Sequence, residues 1–110
     1  MNKYRNIKTE IDGILFDSKK EANRYFELKM LQKAGYIIDL ELQPKFDICP
    51  RIRWNGKTLC KRVYIADFKY WEVKSGMKVI EDVKGKRTAV YNLKRSLFLN
   101  QYPEYIFKEI

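Results

Sequence analysis

The 110-residue chain contains no histidine. That absence removes Ser-His and Cys-His nucleophilic catalysis, histidine-based zinc sites and any nuclease scheme with a histidine general base. Cysteine is scarce. Cys49 and Cys60 show no metal-ligand spacing and are expected as reduced, partly buried thiols. No apolar run approaches the roughly 20 residues needed to span a bilayer. Met1 to Lys8 is polar and basic with no apolar stretch behind it, so no signal peptide is expected and the chain is read as cytoplasmic. Three prolines and five glycines are too dispersed to form a linker, and no repeat or low-complexity stretch interrupts the chain. One domain over residues 1–110 is therefore expected. An enzyme built from this sequence must draw its chemistry from carboxylates, lysines and hydroxyls, with or without a bound metal.

Acidic residues are outnumbered, with 14 Asp and Glu against 23 Lys and Arg and a net charge of +9. An excess of that size in a small domain points to a polyanionic partner. Nucleic acid comes first and an anionic membrane surface second. The basic residues are spread through the chain rather than gathered in a tail, which weakens the membrane reading. Plain solubility is the bland alternative. The 16 aromatic residues (two Trp, eight Tyr, six Phe) could supply stacking platforms for RNA, but most fall at core-spaced positions.

The pattern along the chain predicts an α/β domain. Gly13 to Asp17 alternates like a short strand. Ser18-Lys19-Lys20-Glu21 reads as a capping box opening a helix over Lys19 to Ala34, with Ala22, Tyr25, Phe26 and Met30 at helical spacing and Gly35 as its C-cap glycine. Tyr36 to Leu42 and Phe46 to Cys49 read as one strand interrupted at Pro44. Arg51 to Trp54, Asn55-Gly56 and Thr58 onward form a hairpin signal. A long strand over Lys61 to Val73 follows, then a turn at Ser75-Gly76 and a short strand over Val79 to Lys84. Thr88 caps a second helix over Ala89 to Asn100, with Val90, Leu93 and Leu97 along one side. Tyr105 to Phe107 supplies a last strand. This order predicts a mixed central sheet with a helix on each face.

Two segments carry the chemistry. Tyr64-Ile65-Ala66-Asp67-Phe68 sets one carboxylate in an apolar strand, where it is costly unless satisfied. Glu81-Asp82-Val83-Lys84-Gly85 follows on the next strand. Alternation puts Asp82 and Lys84 on one face and Glu81 and Val83 on the other. Hairpin pairing through Ser75-Gly76 would bring Asp67, Asp82 and Lys84 together. Carboxylates that close repel unless a cation sits between them, and Mg²⁺ favours such oxygen ligands. The ion can acidify bound water and neutralise charge on a phosphate, while a neighbouring lysine acts as base or stabiliser.

These residues resemble the PD-(D/E)xK nuclease superfamily: an apolar strand with Asp67, then Asp82-Val83-Lys84, preceded by Glu21 on the first helix. The element order is similar to that superfamily's αβββαβ restriction-endonuclease-like core. Ala66 stands where the motif has Pro. Nearly the whole chain resembles small phage- and prophage-encoded proteins of this superfamily, through Ser18 to Ala22, Leu40 to Phe46, Tyr64 to Phe68 and Glu81 to Gly85. The resemblance implies a metal-dependent DNA endonuclease with Glu21, Asp67, Asp82 and Lys84 as catalytic residues. It implies Mg²⁺, with Mn²⁺ able to substitute, held by Glu21, Asp67, Asp82 and the Val83 carbonyl. Short length and likeness to Holliday-junction resolvases suggest a homodimer acting on branched DNA.

Each residue also has a plainer reading. Glu21 can be only the N3 partner of the capping box. Asp67 can be a structural ion-pair partner, and Asp82 and Lys84 a cross-strand charge pair. Glu81 can replace Asp82 as the ligand, although its parity with Lys84 is wrong. Lys20, Arg24, Gln43, Lys86, Arg87, Lys94 and Arg95 are candidate nucleic-acid contacts, or a solvated charged face. Trp54, Tyr70 and Trp71 are candidates for a dimer face. A non-catalytic DNA-binding module that kept the fold is the rival to the enzyme.

Overall fold

The computed structural model describes residues 8–110, so the polar start from Met1 to Ile7 lies outside the described residues. The fold is a small α/β domain. Among the described residues there are ten strands and two helices, neither long and apolar enough to cross a membrane.

A hairpin of β1 (Thr9–Ile11) and β2 (Ile14–Phe16) leads into α1 (Lys19–Lys33). Its turn has positive φ at Asp12 and Gly13, the geometry that suits the twist of a two-residue hairpin. Ser18 caps α1 by accepting the Glu21 N–H at 3.1 Å. At the other end, Gly35 takes φ +89, and the Gly35 and Tyr36 N–H groups return to Gln32 and Leu31 carbonyls, which closes the helix.

The core sheet runs β10-β9-β8-β3, using β3 (Ile37–Leu42), β8 (Phe68–Glu72), β9 (Met77–Asp82) and β10 (Ile106–Glu109). β3, β8 and β9 pair antiparallel in sequence of contact, and β10 joins β9 in parallel through α2 (Ala89–Gln101). The expected mixed sheet is present, and a helix covers each face. Phe16, Ala22, Tyr25, Leu28, Phe68, Tyr70 and Val79 form the core under α1. Phe46, Ile48, Tyr64, Ala66, Ile80, Tyr91 and Phe98 form the core under α2.

The structure corrects several expectations. The long strand over Lys61 to Val73 is two strands, β7 (Arg62–Ile65) and β8, broken at Ala66-Asp67. β7 pairs with β4 (Lys45–Cys49), whereas β8 pairs with β3 and β9. The partners change because the backbone there serves the break. Gln43 N–H donates to the Asp67 carbonyl, Ala66 N–H to Pro44 O, and Asp67 N–H to Glu81 O, at 2.9–3.1 Å. Gln43 takes φ +52 at the same level. Two kinked chains thus make one ribbon, which ends in the hairpin of β5 (Ile52–Trp54) and β6 (Lys57–Leu59). β9 also stops at Asp82 rather than Lys84.

Each helix buries only part of the expected stripe: Ala22 and Tyr25 on α1 lie in the core and Leu97 on α2 packs against it. On α1, Phe26 and Met30 are 57% and 55% exposed, while Glu21, Tyr25 and Leu28 face inward. At about 100° per residue these three share one side, and Phe26 and Met30 lie opposite. On α2, Val90 and Leu93 are exposed, and Tyr91 and Phe98 reach the core instead. Their rings offer more area to bury than valine or leucine does. Tyr70, expected among the exposed aromatics, is buried, and Trp71 is half-buried.

Candidate active site

The break between β7 and β8 places Asp67 beside the end of β9. Asp67 Oδ2 accepts the Val83 N–H at 2.7 Å, so its carboxylate caps the strand that carries Asp82. Asp82 is buried to within 1% of full burial, facing the α2 side with Tyr64. The Tyr64 hydroxyl donates to Asp82 Oδ2. Lys84 Nζ lies 3.0 Å from Asp82 Oδ1. That pair compensates charge without hydrogen-bond alignment, since Oδ1 is a buried side-chain oxygen with no hydrogen-bond partner among the described residues. The Lys84 ammonium also sits 4.3 Å from the centre of the Tyr91 ring. Asp67, Asp82 and Lys84 therefore meet in one place.

Glu21 joins them from the first turn of α1. It is buried, and Lys20 beside it donates to the Lys84 carbonyl at 3.1 Å, tying α1 to the end of β9. Burial raises the Glu21 pKa, Asp17 and Asp82 raise it further, and Lys84 opposes them. Capping and site membership coexist: the backbone N–H of Glu21 serves the cap and its carboxyl faces the cluster. Asp67 is the most perturbed acid. Burial pushes it up to about 7 against the favourable Val83 N–H, and Glu21 and Asp82 push the same way. The neighbouring carboxylates thus raise the proton affinity of both Glu21 and Asp67, as expected of a site short of positive charge.

As now arranged, no three acidic or thiol side chains among the described residues close around a metal ion. Asp82 is held by Tyr64 and Lys84, and one Asp67 oxygen by Val83. The donors nevertheless suit a hard divalent ion. They are carboxylate oxygens, mutually repelling, with Asp82 Oδ1 lacking a hydrogen bond. A cation there would replace the Lys84 ammonium as the counter-charge of Asp82.

Glu81 points to the other face, as alternation requires. It is fully buried and forked by Arg24, whose Nε and Nη2 donate at 2.7 and 2.6 Å, and it also accepts from the Tyr70 hydroxyl. Glu81 is thus paired on the face away from Asp82, and the Arg24 guanidinium is turned to a buried carboxylate that needs a counter-charge. Arg87 and Arg95 also have an internal acceptor. Both donate to Glu109, at 3.1 and 2.8 Å, together with the Tyr91 hydroxyl at 2.5 Å. Arg87, then Tyr91 and Arg95, hold the Glu109 carboxyl well below the usual range. Two guanidiniums against one carboxylate leave this rim positive. Lys86 and Gln43 are exposed and Lys94 is half-buried.

Sequence reasoning passed over three members of this network. Tyr64 lies three residues before Asp67, and its role depends on the kink that brings its hydroxyl to Asp82. Tyr91 and Glu109 meet only because β10 lies parallel to β9, with Glu109 opposite Asp82 in register. No local spacing signals that contact.

No curated protein and no solved structure matches the chain. Residues 1–109 match the family described as Protein of unknown function (DUF1064), and the chain belongs to that family.

Proposed function

We propose that this protein is a divalent-metal-dependent DNA endonuclease with a PD-(D/E)xK-type, restriction-endonuclease-like core. The observation that carries the reading is the meeting of Asp67, Asp82 and Lys84 where β7 breaks into β8, with Asp67 pushed up to about 7 beside an imperfectly satisfied Asp82. Perturbed acids clustered with a lysine are typical of reaction centres. Glu21, Asp67, Asp82 and the Val83 carbonyl would hold Mg²⁺ or Mn²⁺. Once bound, such an ion supplies an acidified water and neutralises phosphate charge. Lys84, steadied by the Tyr91 ring, sits where it can stabilise a phosphorane oxygen after leaving Asp82. Tyr64 holds Asp82 in orientation from behind. The positive rim of Arg87 and Arg95, with Lys20 and Lys86, suits a phosphodiester backbone.

The substrate we propose is branched DNA cut by a homodimer in the cytoplasm, of a phage host if the chain is phage-encoded. The rival is a non-catalytic DNA-binding module. It draws on the internal partners that already occupy Asp67 and Asp82. The deciding experiment offers a four-way junction, a flap, a linear duplex and a single strand to the protein with Mg²⁺, Mn²⁺ or EDTA. Metal-dependent paired nicks at the junction support the proposal. Tight binding without cutting supports the rival.

A further inference from the structure

Every residue from Pro50 to Arg62 is exposed, although the stretch is folded into the β5–β6 hairpin. Its turn is well built: Asn55 and Gly56 both take positive φ, and Arg53 bridges the strands to Thr58 Oγ1 at 2.7 Å and to the Gly56 carbonyl at 3.3 Å. A formed hairpin left uncovered needs a partner or a reason to project. Its charge supplies one. Residues 48–66 contain five basic side chains (Arg51, Arg53, Lys57, Lys61 and Arg62) and no Asp or Glu. Lys61 reaches back to Asp47 at 3.7 Å and Arg62 begins β7 at the base, whereas Arg51, Arg53 and Lys57 lie further along the arm. Ile52, Trp54 and Leu59 share one face, because Ile52 pairs with Leu59 and Trp54 with Lys57. Trp54, beside the turn, is 57% exposed.

We propose that this hairpin is a DNA-gripping arm, with Arg51, Arg53 and Lys57 on phosphates and Trp54 stacking on a base exposed at a branch point. A two-stranded ribbon fits the major groove, and an exposed indole stacks on a base without regard to sequence. The chain connects the arm to the carboxylate cluster. β7 descends from the hairpin and ends two residues before Asp67. Ten extended residues separate Asp67 from Lys57, a reach of at most roughly 33 Å. That is about one turn of B-DNA. A backbone held at Asp67 and Asp82 therefore has the arm within one helical turn. A second copy of the chain fits this surface less well, since two arms of like charge repel.

The inference shares with the proposed function only the premise that DNA is the partner, and its test runs in EDTA, where cleavage plays no part. Binding to a four-way junction and to a linear duplex is measured by fluorescence anisotropy at several salt concentrations. Arg51→Gln/Arg53→Gln/Lys57→Gln is expected to weaken binding by on the order of tenfold or more and to lower the salt slope by about 2–3. Trp54→Ala is expected to lose the preference for the junction, and Trp54→Phe to keep it. Circular dichroism checks that each variant is folded. Unchanged affinity and slope in the charge variant would overturn the proposal, as would absence of DNA binding by the wild type. So would a dimer that Trp54→Ala splits in sedimentation while per-protomer DNA affinity stays the same. Loss of arm binding with metal-dependent cutting absent would leave the arm standing and remove the nuclease reading alone.

Discussion

The Tyr64 hydroxyl donates to Asp82 Oδ2 across the kink between β7 and β8, so a buried carboxylate at the end of one strand is oriented by a phenol from another. Burial and the Asp82 charge both raise the Tyr64 pKa, which keeps the phenol a donor. Tyr64→Phe removes that donor and leaves a buried oxygen unmatched, at a cost of about 1–3 kcal/mol. Urea unfolding of Tyr64→Phe, Asp82→Asn and the double variant checks this. The account expects the pair to be non-additive, and simple additivity would show that the contact carries no energy.

Asp67 gives the protein a specific pH dependence. Its pKa is raised from 3.8 to about 7, so the native state holds this proton more firmly than the unfolded chain. The resulting stability is fully present below about pH 4 and is lost as pH rises through about 7. Asp67→Asn has nothing to ionise at this position. Its stability should fall less from about pH 5 to about pH 8, and at the upper end it should exceed wild type by on the order of 1–3 kcal/mol. Parallel stability profiles for the two proteins would count against the burial argument.

A metal ion should reverse that penalty. Binding requires Asp67 in its charged form, so metal uptake competes with a proton below about pH 7. Calorimetric titration with Mn²⁺ should show affinity falling by up to about tenfold per pH unit below that point. Asp67→Asn should bind weakly at every pH.

Arg24 and Glu81 are expected to behave as a structural pair. Arg24→Ala strands the buried Glu81 charge and should cost about 3–5 kcal/mol. Arg24→Met/Glu81→Leu should recover most of that loss. DNA affinity of the folded double variant should stay within a few-fold of wild type. A large affinity loss in that variant would return Arg24 to the DNA surface.

Much of the fold is legible in the sequence because local chemistry fixes it. Ser18 and Thr88 as caps, Gly35 as a helix stop and Asn55-Gly56 as a hairpin turn each answer a backbone need that neighbouring residues reveal. Parity along β9 likewise separates Asp82 from Glu81 correctly. The break at Ala66-Asp67 is not legible, since an unbroken aromatic and β-branched run hides it. It exists because Gln43, Pro44 and Glu81, distant in sequence, supply the backbone partners there. The helix faces are only partly legible for a related reason. Phe26, Met30, Val90 and Leu93 are apolar at helical spacing, yet a narrow four-stranded sheet covers only one side of each helix. The networks around Glu81 and Glu109 were likewise out of reach, because their arginines arrive through tertiary packing.

The central claim is that Asp67, Asp82 and Lys84 form a metal-dependent reaction centre rather than a structural charge cluster. Single-turnover cleavage of a labelled four-way junction, with Mg²⁺ and with EDTA, tests it most directly when wild type is compared with Asp82→Asn and Lys84→Ala. The account predicts cutting by wild type in Mg²⁺ alone. It predicts loss of at least about 100-fold in each variant, with circular dichroism and junction binding retained. Cutting that survives both substitutions, or a wild type that binds the junction and never cuts it in Mg²⁺, would contradict the account.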